Sequence, residues 1–177
     1  ETSDASVGQD RNTAGSSDTI QNDDSTTQSE PSGPIIEGEA RDVHQLGESF
    51  EVGSIEYTAI NTRTSSTIGS GFTESEADGV YVIVDMRMKN VGDEATQISR
   101  SPIALIDGQD RTHDTSSDGM FTYEDTIGVL GEQANPGITH EGAVIFDVPT
   151  GLQDRYLRVS RDPLFGEEET EYVTLDS

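Results

Sequence analysis

The side chains best equipped for chemistry in this chain are carboxylates. Asp107-Gly108-Gln109-Asp110, followed by Asp114 and Asp118, offers oxygen ligands of the kind Ca²⁺ takes. The spacing is not that of an EF-hand loop, which alternates its acids and closes on a distal Glu. Among 35 acidic residues such clusters also arise by chance. These four are the Ca²⁺ candidates, and loose surface cations rather than a dedicated metal site are expected. His44, His113 and His140 are the three histidines. Three imidazoles hold Zn²⁺ only where a fold gathers them, and these fall on separate segments without paired spacing, as surface or edge positions.

Nucleophilic and hydrolytic chemistry finds less. Gly69-Ser70-Gly71 is not the Gly-x-Ser-x-Gly elbow of a serine hydrolase. Carboxylate pairs for glycoside hydrolysis exist by number, but the chain has no Trp to line a sugar cleft. The absence of Cys excludes thiol catalysis, disulfides, zinc–thiolate sites and type-1 copper. Gly-rich phosphate loops are missing. The chain is therefore read as non-enzymatic, with no catalytic residue and no cofactor. Arg155, Arg158 and Arg161 form a small basic cluster, with Glu167, Glu168 and Glu169 as expected ion-pair partners. Arg158, between Leu157 and Val159, is expected to face outward.

The charge balance limits partners more sharply. The net charge is −25, and of the ten basic residues only Lys89 is Lys. Such a surface has no electrostatic footprint for nucleic acid and is repelled by anionic head groups. Self-repulsion at this density destabilises a compact fold in dilute buffer. In molar salt the screening length falls to roughly 3 Å and the penalty fades. An acidic, Lys-poor chain is thus expected from an organism living at high salt. The excess is not confined to one end. Residues 1–34 carry seven acids against Arg11, leaving −19 for the remainder.

Those first 34 residues also hold 12 Ser or Thr, with Val7 and Ile20 as their large aliphatics. This stretch cannot bury enough apolar surface to offset the entropy of ordering. It is expected to be a disordered acidic linker, closed by Pro31 and Pro34, with 35–177 as the folded domain. No Asn-x-Ser/Thr sequon occurs. The chain opens on Glu1 rather than Met, which points to a segment upstream.

From Ile35 onward the apolar period is two. Ile55, Tyr57 and Ala59 alternate with polar neighbours. Val80, Val82, Val84, Met86 and Met88 mark one face of a strand, and Tyr81, Ile83, Asp85, Arg87 and Lys89 the other, a sheet with one buried side. Thr96–Ser99, Ile103–Ile106, 138–148, Leu157–Val159 and Tyr172–Leu175 read as further strands. Asp107-Gly108 gives a hairpin signal after the second of these. No window holds an amphipathic helix beyond two turns, although 119–131 has room for one short turn. The pattern predicts an all-β, two-sheet antiparallel sandwich of about seven or eight short strands. Two connections, 62–78 and 109–130, lack any period. Long loops in compact domains are often functional, so Phe72, Phe121 and Tyr123 are the expected partner-binding residues.

The series Gly47–Gly53, Gly79–Glu94, Ile103–Asp110, Asn135-Pro136-Gly137 and Glu141–Pro149 resembles, in order and spacing, the DUF4352 family over about residues 46–160. The resemblance implies a telokin-like or MPT63-like immunoglobulin-type β-sandwich. It also implies a secreted or lipid-anchored surface protein without known catalysis, here a lipoprotein of haloarchaeal type, lipidated just upstream of Glu1. The family pattern gives its recurrent residues structural roles. Asn90 and Gly92 belong to a turn, Gly108 to a positive-φ corner, Pro136-Gly137 to a turn, and Pro149 to a strand end.

Function is therefore expected to be an interaction or binding module on the outer face of the cell membrane, or secreted. Its partner would be an unknown protein or cell-envelope component, engaged through the two loops or by strand addition at a sheet edge. The alternatives are a solute- or cation-binding accessory protein of an envelope transporter, which needs a pocket with converging polar groups, and a structural cell-surface spacer.

Overall fold

The computed structural model describes residues 35–36, 39–40, 43–127, 132–161 and 169–176. The linker expected over 1–34 lies outside them. Two sheets carry the fold. The first has strand order β10-β5-β4-β3, built from β3 (Ser49–Val52), β4 (Ile55–Ile68), β5 (Ser75–Asn90) and β10 (Thr139–Val148). The second has order β12-β11-β7-β8, from β7 (Ile103–Ile106), β8 (Thr112–His113), β11 (Tyr156–Ser160) and β12 (Thr170–Thr174). Two short pairs, β1 (Ile35–Ile36) with β2 (Glu39–Ala40) and β6 (Thr96–Gln97) with β9 (Gln133–Ala134), complete the strands. All these ladders are antiparallel, and the fold is the two-sheet sandwich that the period of two predicts, of the immunoglobulin-like type that the family resemblance implies.

Alternation builds the core directly. Tyr57 and Ala59 of β4, Val82, Val84, Met86 and Met88 of β5, and Val144, Phe146 and Val148 of β10 point to one side. There they meet Ile103, Leu105, Leu157, Val159 and Val173 of the second sheet in one buried cluster. Phe146, fully buried, is the kind of side chain whose truncation to Ala costs about 3–5 kcal/mol. Tyr57 is stacked on Phe50, centroids 5.9 Å apart, and burial pushes its hydroxyl up to about 12.

Several expectations are corrected. The opposite face of β5 is charged only toward Lys89. Near its start, Tyr81 and Ile83 join Ile68, Ala143, Ile145 and Met120 in a second apolar cluster. Met120 comes from a single-turn-scale helix, α1 (Ser117–Thr122), so the first sheet is covered on both faces there. The segment 62–78 is not a long loop. β4 and β5 run on as a hairpin as far as the Ile68–Ser75 pair, leaving a tip with a 3₁₀ turn at Gly71–Thr73. Irregularities between Ala59 and Asn61 and between Ser65 and Thr67 break the alternation, as an extra residue in one strand does. Likewise 109–130 contains β8 and α1. The strand expected at Thr96–Ser99 is only Thr96–Gln97. Gly108 does not take a positive φ. That corner belongs to Asp110, with φ 59°; the turn expected at Pro136-Gly137 is present, with Gly137 at φ 79°.

Candidate functional site

The two segments singled out for partner binding come together on the outer face of the first sheet. α1 starts at Ser116, whose Oγ accepts from the Gly119 N–H at 3.1 Å, a standard N-cap. Gly119 lets the helix lie on β10, because a Cβ there would sit 2.7 Å from Ile145 Cγ2. Backbone bonds fix the segment's flanks to the edge of β10. The Ser116 N–H donates to the Ile145 carbonyl (2.7 Å), the Ala143 N–H to the Asp125 carbonyl (2.7 Å) and the Ile127 N–H to the Ala143 carbonyl (3.1 Å). The hairpin tip reaches the helix end at Gly69, which has φ 79° and whose Cβ would meet Thr73 O at 2.3 Å and Thr122 Cγ2 at 2.5 Å. Only Gly satisfies both the backbone angle and that approach.

This contact places Phe72 and Phe121 on adjoining segments. Phe72 is fully exposed and Phe121 is 74% exposed. Tyr123 differs from the expectation. It is half-buried against the second apolar cluster, and its hydroxyl accepts from Arg63, whose guanidinium lies 5.6 Å from the Tyr123 ring centroid. Arg63 in turn pairs with Asp85 across the β4–β5 ladder. Tyr123–Arg63–Asp85 therefore locks the helix end to the sheet. Phe121 is displayed, Tyr123 is the anchor, and Met120 is the buried key beneath. Arg63 and Asp85 carried no signal in the sequence, since the register that joins them is a tertiary fact.

The Ca²⁺ candidates separate. Asp107 is 1% exposed and already engaged. Its Oδ1 accepts from the N–H groups of Gln109 (2.9 Å) and Arg111 (3.0 Å). Its Oδ2 accepts from Arg111 Nε (2.7 Å) and lies 3.1 Å from His113 Nε2. Burial alone would raise its pKa. The bonds from His113, Arg111 and Gln109 outweigh that and hold it well below the ordinary carboxylate range. Asp107 is thus the brace of the β7–β8 turn. Asp110 is exposed at the positive-φ corner, Asp114 is exposed after β8, and Asp118 is exposed in the first turn of α1. Among the described residues no three acidic or histidine side chains gather as a metal site.

The histidines also lie apart. His44 stacks on Phe50 at 4.8 Å and bonds Glu171 at 3.0 Å, His113 meets Asp107, and His140 lies 3.4 Å from Glu132. Arg155 pairs with Asp176. Arg161 does approach Glu169, at 3.8 Å, while Glu167 and Glu168 lie outside the described residues. Arg158, expected to face solvent, has a buried Nε without a hydrogen-bond partner among the described residues. It stands between Ala104 and Tyr172, both nearly buried, in the register of the second sheet.

Among the described residues open clefts of about 240, 280 and 540 Å³ occur. The largest of these is the turn between Ser54 and Gly92–Thr96. The second is walled by the engaged Asp107, and the smallest, between Thr64, Val82, Val148 and Leu152, is half apolar. None gathers a nucleophile with a base.

The comparisons with known proteins fit this geometry. The family described as Domain of unknown function (DUF4352) matches residues 44–170. No curated protein matches. The yjhA protein from Bacillus subtilis is similar in structure, with 17% identity and a TM-score of 0.58, over 76% of this chain and 100% of that one. The secreted protein MPT63 from Mycobacterium tuberculosis is similar at 12% identity and a TM-score of 0.53, over 76% and 96%. A candidate lipoprotein of Bacillus subtilis, ycdA, is similar at 15% identity and a TM-score of 0.52, over 71% of this chain and 38% of that one. At these identities the likeness establishes the fold.

Proposed function

This chain belongs to the DUF4352 family, and from that premise we propose that it is a non-enzymatic interaction module working outside the cytoplasm at high salt. It docks a protein or cell-envelope component on the aromatic tip formed by Phe72 and Phe121. The observation that carries the reading is the contact at Gly69, which sets two exposed aromatic rings on adjoining segments over a locked Tyr123–Arg63–Asp85 support. Exposed aromatics on a rigid support are the usual anchors of protein interfaces, since they bury large area at little entropy cost.

The location outside the cytoplasm rests on the similar proteins described as secreted or as a candidate lipoprotein. The Ser/Thr-rich, acidic composition of residues 1–34 suits a spacer between an N-terminal lipid anchor and the sandwich. The adaptation to salt rests on the net charge of −25.

The test is saturable binding of the labelled chain to washed cell envelopes in about 3 M KCl, where screening is nearly complete. The F72A/F121A double variant is expected to bind at least about tenfold more weakly, the loss of one good aromatic anchor. Equal binding by the folded variant refutes the tip as the docking surface.

A further inference from the structure

We draw no further inference here: the strongest candidate, the outer face of the second sheet, where Ala104 and Ile106 of β7 are buried beside an Arg158 whose Nε has no hydrogen-bond partner among the described residues, carries nothing, because these residues belong to neither apolar cluster and nothing among the described residues shows what covers them.

Discussion

Asn90 holds Ala134. The Asn90 Nδ2 donates to the Ala134 carbonyl at 2.8 Å and to the Glu94 carbonyl at 2.7 Å, while its Oδ1 accepts from the Gly92 N–H at 2.9 Å. The side chain is fully buried. One amide thus closes the turn after β5 and ties it to β9, with its own oxygen and nitrogen both engaged.

Replacing Asn90 by Ala is expected to cost about 2–4 kcal/mol, because the buried Ala134 carbonyl, the half-buried Glu94 carbonyl and the Gly92 N–H lose their partner. N90D is expected to cost at least as much, since a carboxylate donates to neither carbonyl. Urea unfolding of the two variants measures both. A loss under about 0.5 kcal/mol, the range of ordinary surface changes, would remove Asn90 from this role.

Asp107 makes stability depend on pH with a definite sign. Its folded pKa is depressed, so its contribution is complete above the unfolded carboxylate value of about 3.9 and is lost as pH falls through the lower, folded value. D107N is expected to be about 1–3 kcal/mol less stable than the parent at neutral pH, as charge-assisted bonds are lost. The gap between the two should narrow below about pH 4. Parallel stability curves down to pH 2 would contradict the assignment.

The aromatic tip and its support should separate by stability. F72A and F121A remove exposed rings and are expected to stay within about 0.5 kcal/mol of the parent. Y123F deletes the hydroxyl that holds Arg63 and is expected to cost about 0.5–1.5 kcal/mol. Thermal melts of the three single variants report this order. A destabilised F121A with an unaffected Y123F would reverse the roles of display and anchor.

Salt should stabilise the sandwich. With a net charge of −25, unscreened repulsion acts against the compact state at low ionic strength and fades as the screening length shortens from about 10 Å at 0.1 M to about 3 Å at 1 M. The melting temperature is expected to rise with KCl over that range. A Tm independent of salt would argue against adaptation to brine.

The sandwich was legible because the contrast between an apolar and a polar face survives in Tyr57–Ala59 and Met86–Lys89, and because the core face stays apolar through Val80–Val84 and Val144–Val148, where Tyr81, Ile83 and Ile145 make the outer face apolar too. It failed where that contrast is missing. The Thr/Ser-rich half of β4 has an open edge and two register breaks, so nothing in its composition separates it from a loop. α1 is too short to show a helical period. Phe121 and Tyr123, two positions apart, looked alike, and burial against the second cluster set them apart.

Residue types and their local alternation determined the sheet class, the acidic surface and the poverty of reactive groups, because these depend on side-chain chemistry and on neighbours along the strand. Which groups meet was decided only in three dimensions. Arg63 finds Asp85 and Tyr123, Asn90 finds Ala134, and the hairpin tip finds α1 through contacts between residues far apart in sequence. Strand register and the covering of each edge set those contacts, and neither is written in local periodicity.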